Sequence, residues 1–323
     1  MTVLLDIQDL NIAYATDRGM LKALRDVSLQ VNEGEIVGVA GESGCGKSTL
    51  ISALLHLLPA NASITGGSIR FAGEEMVGAS ATRLRALRGQ DIAVVFQDPM
   101  TALNPVLTIG RQMRDIQYRQ PISRAEKDQR SAAMLGRVGL PDPQARLQNY
   151  PHELSGGMRQ RVAIAMAALM KPRLLIADEP TTALDATLEV QIIELLRELQ
   201  KEIGCAILFV THHLAVISEL CDRAVVMYAG QSVEEGPVDQ VFATPAHPYT
   251  AMLIECDPGR LKTRVADLPS IPGTLPSLID LEPGCIFRAR CGRADARCEV
   301  APPRVWARAG HWALCHHTDR SPS

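Results

Sequence analysis

Glu35-Ile36-Val37-Gly38-Val39-Ala40-Gly41-Glu42-Ser43-Gly44-Cys45-Gly46-Lys47-Ser48-Thr49-Leu50 is the stretch that decides the fold. Up to Ala40 it is a short apolar, β-branched run that reads as a buried strand. Gly41 to Ser48 then matches G-x-x-x-x-G-K-[ST], and Thr49 to Leu58 reads as a helix stopped by Pro59. Strand, glycine loop and helix in that order are the layout of a phosphate-binding loop. Glycines let the backbone turn tightly, so that successive N–H groups point at phosphate oxygens. The helix N-terminus adds its positive end. In such a loop the lysine, here Lys47, reaches the β- and γ-phosphates, and Ser48 offers its hydroxyl to Mg²⁺. By itself the loop says that a nucleoside triphosphate is held, and nothing of what its energy is used for.

Further along, Leu174-Leu175-Ile176-Ala177 reads as a strand that ends in Asp178-Glu179. A carboxylate at the end of a buried strand can bind Mg²⁺ directly or through water, which suits Asp178; Glu179 can orient or deprotonate an attacking water. An isolated Asp-Glu pair reads more naturally as a solvated turn. The run Pro180-Thr181-Thr182-Ala183-Leu184-Asp185 that follows weakens that bland reading. Before it, Leu154-Ser155-Gly156-Gly157-Met158 leads into a long helix from Arg159, a second helix N-terminus suited to an anion. Gln97 follows the apolar Val94-Val95-Phe96, and His212 follows Ile207-Leu208-Phe209-Val210. Taken singly, a glutamine there is a surface residue and a histidine there is structural.

Taken in order, these motifs resemble those of the ATP-binding subunits of ABC transporters, over essentially the whole chain. The resemblance implies that Tyr14 stacks on adenine. It places Gly41, Ser43, Gly44, Cys45, Gly46, Lys47, Ser48 and Thr49 around the nucleotide, with Ser48, Gln97 and Asp178 at Mg²⁺. It makes Glu179 the catalytic carboxylate, assisted by Gln97 and by His212 at the γ-phosphate. Asp185 joins the nucleotide-binding set, and Ser155, Gly156 and Gly157 face nucleotide held by the opposite subunit, so two such chains close on ATP and drive separate membrane subunits. His213 stands where these proteins usually carry an acidic residue, a departure expected to be tolerated because His212 is intact.

Composition agrees. The chain has 323 residues, enough for more than one ordinary domain, and 46% hydrophobic content, normal for a globular protein. A net charge of −3 and 4% aromatic residues give no general attraction to nucleic acid or anionic lipid. The longest wholly apolar run, Val162 to Met170, is about half of what a spanning helix needs, and Met1 to Asp6 lacks a basic secretory start. The expected fold is α/β: a P-loop nucleotide-binding domain of the ABC type with a helical insertion and a C-terminal cysteine-containing extension. Expected boundaries are 1–97 for the first part of the α/β core and 98–171 for the helical subdomain with the Leu154–Met158 motif. The core resumes over 172–244, and 245–323 is the extension.

The extension contains His247-Pro248-Tyr249-Thr250 and Ile271-Pro272-Gly273, and resembles the tail of oligopeptide and dipeptide importers. The same branch moves nickel, opines, glutathione and some sugars, so a non-peptide cargo is the alternative. A remoter one is an ABC ATPase acting on nucleic acid or the ribosome, which this single cassette without heptads disfavours. The resemblance implies two permease subunits, a second and non-identical ATPase, a solute-binding protein reached indirectly, and a peripheral place on the cytoplasmic face of the inner membrane.

Cys285, Cys291, Cys298 and Cys315 are spaced C-x5-C-x6-C-x16-C. An ATPase in the cytosol should not rely on disulfides. Four thiolates suit a [4Fe–4S] cluster, and relatives carry one there. Zinc is the rival, with His311, His316 and His317 near enough in sequence to substitute as ligands, and free thiols remain open. Proline-rich and poor in apolar periodicity, the extension is expected to lack a core of its own and to depend on that metal centre.

Overall fold

The computed structural model describes residues 2–182, 184–257 and 269–318; the stretches 258–268 and 319–323 of the expected extension lie outside them. The chain packs as two compact units, Met1–Ala79 with Phe209–Ser323, and Ser80–Leu208. The strands in chain order are β1 (Val3–Thr16), β2 (Gly19–Asn32), β3 (Ile36–Ala40), β4 (Ala62–Phe71), β5 (Glu74–Glu75) and β6 (Ile92–Val95). They continue as β7 (Leu174–Asp178), β8 (Ala206–Val210), β9 (Arg223–Tyr228), β10 (Gln231–Pro237), β11 (Arg304–Arg308) and β12 (His311–Leu314).

In the first unit β1 and β2 form a long antiparallel hairpin, with β4 on the other side of β1 and β5 beyond it. A separate run of strands is ordered β11-β12-β10-β9-β3. Only β3 and β9 pair in parallel there. All five residues of β3 are buried, as expected of a strand covered on both faces. The helix after it spans Lys47–Leu54, shorter than the expected run to Leu58. His56 takes a left-handed backbone, φ +50°. The N–H of Leu57 then bonds the Ser52 carbonyl and that of His56 bonds Ala53, the paired bonds of a Schellman ending, so the helix stops before Pro59 is reached.

In the second unit β6 and β7 run parallel, Ile92 beside Leu174 through Val95 beside Ala177. Helices Ala81–Leu87, Ile109–Ile116, Arg124–Arg137, Gly156–Leu169 and Ala186–Ile203 belong to the same unit. The expected capping box at Ser123 is formed: its hydroxyl accepts from Glu126 N–H at 3.2 Å, and Glu126 accepts from Ser123 N–H at 2.8 Å. The helix expected from Arg159 starts earlier, at Gly156, with Ser155 as its N-cap. β8 returns the chain to the first unit.

The extension does have a core. Phe287, 1% exposed, packs against Tyr228 of β9 and Tyr249 of the helix Pro248–Glu255, with ring centroids 5.1 and 5.4 Å away. β12 pairs with β10, Glu234 opposite Ala313, which carries the strand run onward into the extension. The expectation of a coreless tail fails because its apolar residues are isolated along the sequence and meet partners more than thirty residues distant.

Candidate functional site

In the first unit β3 leads straight into the loop. Gly41 has φ +154°, and a Cβ there would collide with the Met227 carbonyl. At Gly46, φ +108°, a Cβ would lie 2.7 Å from Leu24 Cδ2. Both positions require glycine, for backbone angle and for space. Lys47 is buried, and its ammonium donates to the Gly41 carbonyl at 2.6 Å and to Glu42 at 3.1 Å. Ser43, Gly44 and Ser48 are exposed beside it, so loop donors face solvent while the lysine is held within the turn. Burial pushes the Cys45 thiol pKa up, outweighing nearby Lys47, which keeps the thiol neutral and inert. Tyr14, half-buried on β1, has its hydroxyl 3.3 Å from Thr49 Oγ1, so the expected adenine platform lies against the loop's own helix. The N–H of Thr211 bonds the Val39 carbonyl, so exposed His212 follows directly from an anchor on the strand that feeds the loop. Its ring meets His213 edge-on at 4.4 Å. His213 occupies the N-cap position of the helix Leu214–Leu220 and makes no side-chain cap bond. An acidic residue there could have capped it, so the departure has a local structural cost.

In the second unit the two carboxylates stand at the end of β7. The Gln97 amide donates to Glu179 Oε2 at 3.0 Å, and the Thr182 hydroxyl donates to the same oxygen at 2.9 Å. Two of the expected catalytic residues therefore meet, and Thr182, not singled out from the sequence, supports them. Glu179 is held at φ +46°, a left-handed backbone uncommon for a glutamate and a form of strain that concentrates at functional sites. Asp178 is half-buried beside it. The Ser155 hydroxyl accepts from Met158 N–H at 3.3 Å, with Ser155 and Gly156 exposed. Gly157 is buried, and a Cβ on it would be 3.0 Å from Leu188. Asp185 spends one carboxylate oxygen on Leu188 N–H, 2.9 Å away, as the N-cap of Ala186–Ile203.

Cys285, Cys291, Cys298 and Cys315 form no disulfide. Burial raises the pKa of Cys285, to about 11, and as thiolates Cys298, Cys315 and Cys291 would add repulsion. Burial likewise raises Cys315, with Cys291 and Cys298 among its charged neighbours. Burial raises Cys291 as well, so Cys285, Cys291 and Cys315 lie where thiolates are unfavourable without a cation, and each lies close enough to Cys298 to feel its charge, a donor set that fits a metal centre. Asp295, Cys298 and His317 bring one ligand atom each within 4.8 Å of one another. Asp295 stands three residues before Cys298, as the N-cap of the short turn Ala296–Glu299, but no motif in the sequence marks it as a ligand. Of the three histidines named as substitutes, His311 is held by buried Glu234 at 2.7 Å and His316 contacts the Val300 carbonyl at 3.2 Å. Only His317 joins the group.

The sequence profile of the ABC transporter family matches residues 24–182, and that of the oligopeptide/dipeptide transporter C-terminal region matches residues 233–298. The chain is 47% identical to the probable D,D-dipeptide transport ATP-binding protein DdpD of Escherichia coli strain K12, over 92% of this chain and 91% of that one. It is 45% identical to the oligopeptide transport ATP-binding protein OppD of Salmonella typhimurium strain LT2, over 97% and 93% of the two chains. Among solved structures, the dimeric post-hydrolysis state of the ATP-binding cassette MJ0796, bound to ADP and Pi, superposes with a TM-score of 0.65 at 29% identity. That match covers 72% of this chain and 98% of the other. The chain belongs to the ABC transporter family, as an ATP-binding subunit with the oligopeptide/dipeptide type of C-terminal region. It is an ATPase.

Proposed function

We propose that this subunit powers the import of peptides through separate permease subunits, from the cytoplasmic face of the membrane and paired with a second, homologous ATPase. Three features support the reading: relatives named for peptide transport over nearly their whole length, the matching C-terminal region, and the lack of any helix among the described residues long and apolar enough to cross a membrane. In this reading Lys47 and the loop amides hold the phosphates and Tyr14 lies on the adenine. Ser48 offers a hydroxyl to Mg²⁺, and Asp178 and Gln97 serve the same ion. His212 contacts the γ-phosphate and Asp185 belongs to the nucleotide-binding set, while Ser155, Gly156 and Gly157 address the nucleotide of the opposite subunit. Phosphoryl transfer to water needs positioning and charge stabilisation more than covalent help.

The observation that carries the assignment is the Glu179 carboxylate, fixed by Gln97 and Thr182 on a strained backbone. Such a carboxylate is oriented before water arrives, as a general base requires. Glu179→Gln should retain ATP binding and lose about 10²- to 10⁴-fold in turnover. Hydrolysis at the wild-type rate would remove Glu179 from the role.

For the extension, we infer a structural metal centre on Cys285, Cys291, Cys298 and Cys315. The [4Fe–4S] reading rests on four thiols in one environment; bound there, the cluster would supply iron–thiolate links that join residues 285 to 315. The zinc reading rests on the Asp295, Cys298 and His317 group, whose mixed donors suit that ion.

A further inference from the structure

Glu42 is an anomaly in a loop that must hold a polyanion. Its carboxylate lies one residue into the phosphate-binding turn, where an unpaired negative charge opposes binding of ATP. Every polar group of this residue is engaged. The carbonyl accepts from Lys47, and the N–H donates to the Tyr249 hydroxyl at 2.9 Å. The carboxylate takes both arms of Arg290, at 2.8 Å from Nη1 to Oε2 and 3.0 Å from Nη2 to Oε1.

Arg290 comes from the far end of the chain and is shaped for this one partner. Its side chain is 5% exposed. Nε donates to the Pro272 carbonyl at 2.8 Å and Nη2 to Ile271 at 3.2 Å, while Nη1 lies 3.4 Å from the Tyr228 hydroxyl. A guanidinium so enclosed is costly to bury unless a carboxylate neutralises it, and Glu42 is the carboxylate it meets. Arg290 closes the short helical turn Arg288–Arg290, directly before Cys291. The cysteine-bearing segment therefore reaches the nucleotide loop through a bidentate ion pair.

We propose that Arg290 is a positioning residue for nucleotide binding: it neutralises Glu42 and holds that carboxylate away from the triphosphate. The pair makes a C-terminal residue part of the electrostatics of the loop without touching the nucleotide. Removing Arg290 alone would leave the Glu42 charge unpaired beside the site of the phosphates.

The test uses the full chain and Mg-ATP. Arg290→Gln should raise the KM and Kd for ATP about tenfold with kcat within about twofold, and added salt should shrink the difference. The double variant Glu42→Gln with Arg290→Gln should recover most of the lost affinity, because no orphan carboxylate remains. Arg290→Lys keeps the charge and loses the fork, so its defect should be smaller than that of Arg290→Gln. Should Arg290→Gln not fold, the comparison of Arg290→Lys with the double variant still decides: the double variant must bind ATP at least as well. A KM unchanged in Arg290→Gln, or a double variant as weak as Arg290→Gln, overturns the proposal. The inference rests on the loop being the ATP site: failure of the wild-type chain to bind ATP refutes that reading, whereas normal wild-type binding with an indifferent Arg290 refutes only this one.

Discussion

Lys47 finds its partners five and six residues away, at the carbonyls of Glu42 and Gly41, whereas Arg290 finds Glu42 across 248 residues. The two side chains serve the same loop and belong to the same packing unit. The phosphate loop is built locally: its glycines, its lysine and its helix follow one another, so its chemistry is written as a motif. The C-terminal extension is built by return of the chain. Phe287 lies on Tyr228 and Tyr249, His311 on Glu234, and β12 on β10. Local construction makes a site that tolerates no change of spacing. Construction by return makes contacts between residues far apart in the chain, which carry no motif and depend on the surrounding fold to meet.

That difference can be broken from either side. Cys298→Ser attacks the extension, and the expected effect is complete loss of bound metal, since one missing thiolate opens the centre. Anaerobically purified wild-type chain should be brown with a shoulder near about 400 nm, and the variant colourless, with Cys205→Ser unchanged. Colourless wild-type protein with one zinc would select the zinc reading, and metal-free folded protein would exclude both. Lys47→Ala attacks the loop. Loss of a charge-assisted contact worth about 1.5–3 kcal/mol should weaken ATP about ten- to a hundredfold, measured by equilibrium binding. Unaltered affinity would deny the lysine its phosphate contact.

A subtler change sharpens the comparison on the extension's side. His247 accepts from Tyr249 N–H at 3.0 Å and so caps the helix that supplies the Tyr249 hydroxyl. Burial lowers its pKa to about 4, only partly opposed by Glu234 and the Leu314 backbone. In the unfolded chain the ring titrates near about 6.5, so between those values the unfolded state takes up a proton that the folded state refuses. The stability contributed by the neutral ring is whole above about pH 6.5 and is lost as pH falls toward 4, by roughly 3 kcal/mol. The thermal midpoint should therefore drop more steeply with acid in wild type than in His247→Asn, which keeps a cap acceptor without a titrating ring. Parallel pH curves for the two proteins would contradict the assignment.

How much was legible follows the same division. Strand β3, the loop, β7 and the carboxylates after it were readable because period, glycine and motif coincide over a few residues. The Ser123 capping box was readable for the same reason, and both of its bonds form. Pro59 predicts a longer helix after the loop, but the chain turns at His56; histidine is enriched in the left-handed region, yet too rarely found there for its presence to mark a helix end. Thr182 was quoted within a motif, but its bond to Glu179 depends on the turn between them. Arg290 and Tyr249, which both reach Glu42 across more than two hundred residues, are out of reach in a different way. An arginine in a polar tail reads as solvated surface, and only the fold reveals that it is buried against a carboxylate from the other end of the chain. The histidines near the cysteines show the reverse: closeness in sequence suggested three ligands, and pairing with Glu234 withdrew His311.

The most direct test of the central claim is ATP turnover by this subunit assembled with its permease and partner ATPase in a lipid bilayer, with peptide-loaded solute-binding protein added on the far side. The account predicts turnover that rises with loaded binding protein and stays low with the isolated chain. Turnover indifferent to permease and binding protein, or stimulated instead by nucleic acid or ribosomes, would contradict it.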